Sequence, residues 1–386
     1  MHKIVDDLTE GKTFDHLPDE VQLKIVKFLE IKDIIRCTQV SKRTRRICRD
    51  GSIWKKVNLF RKVVPSEFIV MILENGCKYI NLQSAKIVGS LTLSRNDYNV
   101  KYLNLSYCNA DKGVLEKLIS SCQGLQKLSL AGLSLRSDAM TSRKHQHLKI
   151  LHLWDFQGMD LKLISNILSS KTLTEISYRN HEIPYNSDSD IVVQYLVENL
   201  SSDVEKVSLG GLTCLTDKQL KTLVKRCKKI KELELWGCRL ITDDSLNSIV
   251  EHSEIVKLDI SKTKIVLIWN DQLGRFIKPP LQETNPLLKI QSMPKLKHLN
   301  CRVDTRGYPS SYEEIENLRK LMPQIIINEG AYGGDLDMAD QNEFIKPEDG
   351  LWDIFVKRIE LFPMAYYLVD YIHRDLSGST HFPIGF

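Results

Sequence analysis

No Cys-x-x-Cys pair occurs among the nine cysteines, which leaves zinc ribbons and thioredoxin-like redox motifs without support. There is no apolar run long enough to cross a bilayer, and residues 1–13 lack the apolar core of a secretory signal. Gly-x-x-x-x-Gly-Lys-[Ser/Thr], Gly-x-Ser-x-Gly and His-Glu-x-x-His are all missing, so the common nucleotide, hydrolase and zinc-protease chemistries have no foothold. His145 and His147 have no ligand partners at metal spacing and read as solvated surface residues. The charge balance, 54 basic against 49 acidic residues, is too even for a dedicated nucleic-acid binder. These gaps predict a soluble, non-secreted chain with no catalytic residues, no cofactor and no metal. The scattered cysteines read as reduced and mostly buried, as in an intracellular protein.

What the chain does have is a repeat. Tyr102-Leu103-Asn104-Leu105, Lys127-Leu128-Ser129-Leu130 and Ile150-Leu151-His152-Leu153 share one pattern. It returns at Lys206-Val207-Ser208-Leu209, Glu232-Leu233-Glu234-Leu235, Lys257-Leu258-Asp259-Ile260 and His298-Leu299-Asn300-Cys301. Weaker copies lie at Val57, Ile80, Ile176 and Ile325. Successive steps are 23, 23, 25, 23, 25, 31, 26, 25, 41 and 26 residues, and most fall in the leucine-rich-repeat window of about 20–29. Apolar residues two apart face one side of a short strand, and that side is the shared core.

Helical spacing lies between the strands. Leu115, Leu118, Ile119 and Cys122 recur at three and four, as do Leu220, Leu223, Val224 and Cys227. The expected fold is therefore α/β: a curved solenoid over 57–328, of about ten or eleven repeats, each a strand and a helix. Two steps are long. One carries Asn186-Ser187-Asp188-Ser189-Asp190 and reads as a polar loop. The other carries Lys278-Pro279-Pro280 and Asn285-Pro286, which must break any helix there.

Residues 14–59 have another texture. Pro18 suits a first helical turn, Asp19 and Glu20 favour the helix's positive end, and Val21, Ile25, Phe28 and Leu29 form one apolar stripe. Further helices follow Asp33 and Ser41, and the segment closes on Ile53-Trp54. Leu17-Pro18-x-Glu20-Val21, the Val40-Ser41-Lys42-Arg43 turn and Ile53-Trp54-Lys55-Lys56-Val57-Asn58-Leu59 together resemble the F-box. That is a three-helix module that docks on the Skp adaptor of cullin-RING ubiquitin ligases. The resemblance implies adaptor contacts from Leu17, Pro18, Glu20, Val21, Ile25, Phe28, Leu29 and Trp54. Thr44 departs from the pattern, since many F-boxes carry an aromatic there. The cluster Lys42-Arg43-Thr44-Arg45-Arg46 reads as a solvated face of the third helix.

Leu318-Arg319-Lys320-Leu321-Met322-Pro323 and the following Ile325-Ile326-Ile327-Asn328 precede a tail, 329–386, that contains Gly350-Leu351-Trp352-Asp353-Ile354. With Glu74-Asn75-Gly76 and Leu128-Ser129-Leu130-Ala131-Gly132-Leu133, these resemble the cell-cycle branch of F-box/leucine-rich-repeat receptors. The resemblance implies a substrate-recognition subunit of a Skp-cullin-F-box ligase, not itself an enzyme, acting in nucleus and cytoplasm. It also implies phosphorylated cell-cycle regulators as substrates, captured with a small Cks accessory protein and sent for proteasomal degradation. A repeat scaffold acting without the ligase is the alternative.

Alternate strand residues should line the concave face. Trp154 and Trp236 lie there as exposed aromatic anchors, or else beneath the tail. Arg179, Lys262 and Arg302 are strand-end cations suited to a phosphate. Trp352, in an apolar run that alternates, is expected to fold back on this face near Trp236.

Overall fold

The computed structural model describes residues 14–136, 145–179, 187–265, 268–270, 275–277, 286–302 and 318–328. Each strand of the repeat is three residues long, the last two, and all pair in parallel in one 11-stranded sheet. The apolar positions stand side by side across it: Val57, Ile80, Leu103, Leu128, Leu151, Ile176, Val207, Leu233, Leu258, Leu299 and Ile327. All are buried. No single strand this short is stable alone, and stacking gives each a neighbour for its backbone and a continuous apolar layer beneath.

The last strand differs from its expected register by two residues: Ile327, not Ile325, lies beside Leu299. In the preceding repeat Leu296 is buried three residues before Leu299, whereas Ile325 is buried only two before Ile327. The turn into the final strand is one residue shorter, and Ile325 fills the place ahead of the strand.

Helices Ser66–Glu74, Lys112–Ser120, Leu161–Leu168, Ser187–Asn199, Asp217–Arg226 and Asp243–Val250 carry the chain back. Their starts follow local chemistry. Asp160 accepts a bond from the Leu163 amide, and Thr216 with Gln219 closes a capping box. The Ser187–Asp190 stretch, expected as a loop, opens helix Ser187–Asn199 instead; Ser and Asp favour helix starts, and Val192, Val193, Leu196 and Val197 bury its inner side. The long insertion holds a hairpin, Ile268–Asn270 against Arg275–Ile277. The repeat after Tyr79–Asn81 returns without a helix, through strand Lys86–Val88.

Eight of the nine cysteines are buried, Cys37 being partly so. Burial pushes the thiols of Cys77, Cys108, Cys122 and Cys238 up to about 12, so they act as small apolar fillers. His145 is also buried, against the expectation for it, with Nε2 3.3 Å from the Ile119 carbonyl. It stands three residues before a core leucine, where another repeat has His252, whose Nε2 lies 2.9 Å from the Cys227 carbonyl. These rings tie one repeat's helix end to the next. His147 is exposed. The tail 329–386, with Trp352 and its expected place on the sheet, lies outside the described residues.

Candidate functional site: an apolar stripe and the strand face

At the N-terminal end, helices Asp19–Val26, Ile31–Cys37, Lys42–Cys48 and Gly51–Trp54 follow a short turn, Phe14–His16. Ser41 caps the third helix by accepting from the Thr44 amide at 3.0 Å, and Thr44 is buried. Gln22 is buried too, and its Nε2 donates to the Phe14 and Leu17 carbonyls at 3.0 and 3.1 Å. Arg43 reaches back to the first helix: Nη2 donates to the Leu17 carbonyl at 2.8 Å, and Nε to Asp19 Oδ1 at 2.8 Å. Arg46 bonds the other Asp19 oxygen. Hydrogen bonding to Arg43 foremost holds the Asp19 carboxyl below its ordinary value. The basic cluster is thus only partly a solvated face, because Arg43 clamps the helix start.

These bonds orient the first helix with Gln22 and Val26 inward. Its other side carries Val21 and Ile25; the helix ends at Val26, short of the expected stripe, and Phe28 and Leu29 follow in the turn after it. All four are exposed, Phe28 keeping 90% of its surface. Leu17 beside them is half-buried, while Pro18 and Glu20 are exposed. A small module has no interior left for these side chains, and so large an apolar stripe in water points to a partner. Trp54 does not belong with them. It is buried, its Nε1 donates to the Cys48 carbonyl at 2.7 Å, and its ring meets Phe68 edge-on at 5.7 Å. It braces the module on the first repeat and is out of an adaptor's reach.

The second region is the sheet face turned away from the core. Trp154, expected as an exposed anchor, is buried there by its neighbours. Its Nε1 donates to Ser177 Oγ, the His152 ring stacks on it at 5.4 Å, and the Arg179 guanidinium lies 5.1 Å from its centroid. Arg179 is buried as well and pairs with Glu234, so it is not an open phosphate site. Burial foremost would raise Glu234, but the Arg179 charge, the bond from Ser208 and the Lys206 charge together lower the carboxyl. Asp259 goes the other way: burial foremost, with the Glu234 charge, raises it against bonds from Ser261 and Asn300. Trp236 is half-buried with Lys262 Nζ 5.0 Å over its ring. The Lys262 amide donates to the Arg302 carbonyl at 3.0 Å, and Arg302 Nη2 donates to the Asn328 carbonyl at 2.7 Å.

One further feature was not anticipated. His152, Glu175, Lys206, Glu232 and Lys257 form a ladder across five strands, with contacts of 3.1, 3.4, 3.8 and 3.3 Å. Burial alone would raise Glu175, yet the bond from His152 and the charge of Lys206 hold it at about 2. Reading one position down the repeats, Glu-Lys-Glu-Lys at 175, 206, 232 and 257, would have revealed this.

Among known proteins, the F-box-like family description matches residues 14–59. Residues 14–59 are an F-box-like domain. The chain is similar to lysine-specific demethylase 2B of Mus musculus, 25% identical over 230 residues, which cover 59% of this chain and 14% of that protein. It is also similar to putative F-box/LRR-repeat protein 21 of Arabidopsis thaliana, 31% identical over 109 residues, covering 26% of this chain and 36% of that protein. The chain thus spans only a minor part of either relative's length. Among solved structures, the leucine-rich-repeat protein LegL7 of Legionella pneumophila aligns with a TM-score of 0.37 at 16% identity, over 61% of this chain and 78% of that one. The chain is homologous to F-box/leucine-rich-repeat proteins, an F-box-like domain followed by a repeat solenoid.

Proposed function

We propose that this chain is the substrate-recognition subunit of a Skp-cullin-F-box ubiquitin ligase. The observation that carries the proposal is the group Val21, Ile25, Phe28 and Leu29, exposed on the first helix of an F-box-like domain and the turn that follows it. The stripe docks on the Skp adaptor, the adaptor brings the cullin-RING ligase, and the repeats hold a protein for ubiquitination. No catalytic step falls to the chain itself.

The narrower reading is a phosphorylated cell-cycle regulator as substrate, held with a Cks accessory protein and degraded in nucleus and cytoplasm. It rests on the likeness of the last repeat and of Gly350-Leu351-Trp352-Asp353-Ile354 to S-phase kinase-associated protein 2. Arg302 and Lys262 remain its candidate phosphate contacts, with Trp236 beside them; Arg179 is already paired with Glu234.

The test is co-purification with the Skp adaptor. Replacing Leu17 and Pro18 together with Ala should abolish adaptor binding while the repeats stay folded by circular dichroism. Undiminished co-purification would sink the receptor reading.

A further inference from the structure

The two halves of the strand face differ in how their cations are satisfied. In the second half Lys206, Lys231 and Lys257 each meet a carboxylate of an adjoining repeat, and Arg179 meets Glu234 two strands away. In the first half, Lys55, Lys78, Lys101 and Lys149 stand one residue ahead of their strands, and the strand between the last two has Gln126 in that place and Lys127 one position further in. Among the described residues none of these five pairs with a carboxylate. The positions facing out from those strands are Lys56, Tyr79, Tyr102, Lys127 and Ile150, then Asn58, Asn81, Asn104, Ser129 and His152. None is acidic; the acids begin at Glu175.

The aromatic rings lie within this row. Tyr79 and Tyr102 meet edge-on at 4.6 Å, with Lys56 Nζ 5.3 Å over the first ring and Lys127 Nζ 4.8 Å over the second. Both tyrosines and both lysines are half-buried. Lysines held this way on aromatic faces have their stems already ordered, which lowers the cost of engaging an anion.

We infer that the entry edge of these first five strands is a docking surface for an Asp/Glu-rich segment of a protein partner. The inference deepens the receptor reading above and rests on it for the biological role of the partner. Charge complementarity carries it: each of the five strands brings one lysine to the entry edge, four in register and Lys127 one position further in. At a strand separation of about 4.8 Å they span roughly 19 Å, the reach of about six extended residues. A nucleic acid fits worse. The tyrosine faces are occupied by lysines, so they offer no open platform for bases. A polyanion continuing along the sheet would also meet Glu175, Glu232, Glu234 and Asp259.

The experiment uses the full chain and fluorescence anisotropy. The probes are a labelled twelve-residue peptide rich in Asp and Glu, its Asn/Gln counterpart, and a single-stranded oligonucleotide of matched charge. The acidic peptide should bind, more weakly as salt rises, and the Asn/Gln peptide at least about tenfold more weakly, since screening acts on the charges alone. K78Q/K101Q/K127Q should weaken acidic-peptide binding by about tenfold. K55Q/K149Q, at two exposed positions where folding is not at stake, should weaken it by about threefold. K218Q/K225Q/K228Q, which removes the same charge from the helix side, should change it by less than about twofold. The inference is overturned if both stripe variants bind as wild type, if the helix-side variant loses as much, or if the oligonucleotide binds more tightly than the peptide. The Leu17/Pro18 double variant should bind the peptide normally. Retained peptide binding with lost adaptor binding, or the reverse, therefore separates failure of this inference from failure of the receptor reading.

Discussion

Phe28 and Trp54 are both large apolar side chains of the F-box-like domain, and they should respond to truncation in opposite ways. Phe28 keeps 90% of its surface, so Phe28→Ala removes no packing and should leave the melting temperature unchanged. If the stripe is an interface anchor, the same change should cost about 2 kcal/mol of adaptor affinity, or roughly thirtyfold. Trp54 is buried against Phe68 with its indole nitrogen satisfied. Trp54→Ala should cost about 3–5 kcal/mol of stability through the cavity and the orphaned Cys48 carbonyl. Calorimetry of both variants checks the contrast. On the sheet, Glu175 offers a pH test. Its folded value of about 2 lies below the ordinary 4.5, so its contribution is present above about pH 4.5 and is lost as pH falls toward 2. Glu175→Gln should cost on the order of 2–3 kcal/mol at pH 7, with the difference from wild type vanishing in acid. A pH-independent deficit in denaturant titrations would mean that the ladder does not hold this carboxylate.

Between elements, the repeats are joined by polar bonds as well as apolar packing. Asp217, at the start of helix Asp217–Arg226, accepts from the Thr242 amide at 2.9 Å, the Thr242 hydroxyl at 2.7 Å and the Ser245 hydroxyl at 2.6 Å. One carboxylate thus orders the start of the next repeat's helix. Asp217→Ala should cost about 2–3 kcal/mol, because charged hydrogen bonds are the stronger ones. In an array whose units touch only their neighbours, such a loss can split a single unfolding transition in two. Urea unfolding followed by tryptophan fluorescence and by circular dichroism would show the probes separating.

Elements are also the scale at which sequence reading succeeded and failed. Ten strand positions were legible because a pair of apolar residues two apart recurs at the repeat spacing. The eleventh slipped because Ile325 and Ile327 are both apolar and two apart, and a period of two cannot choose between them. The hairpin at 268–277 was masked by Pro279-Pro280 just beyond it. His145 was misread because its type suggested solvent, although its place in the repeat matches the buried His252. The burial of Trp154 depends on Arg179 and Ser177 from the next strand, a contact no single segment contains. The exposure of Val21, Ile25, Phe28 and Leu29, by contrast, was legible from the shortness of the module, although helical spacing holds only for the first two because the helix ends at Val26.

For the whole molecule, the central claim is a division of labour: an N-terminal helix stripe holds the ligase and a rigid strand face holds the substrate. The two surfaces should therefore fail independently. The most direct measurement is the affinity of the purified full chain for the Skp adaptor by isothermal titration, for wild type, Phe28→Ala and K78Q/K101Q/K127Q. The expected result is tight binding by wild type and by the lysine variant, with Phe28→Ala weakened about thirtyfold at an unchanged melting temperature. No binding by wild type, or equal binding by Phe28→Ala, would contradict it.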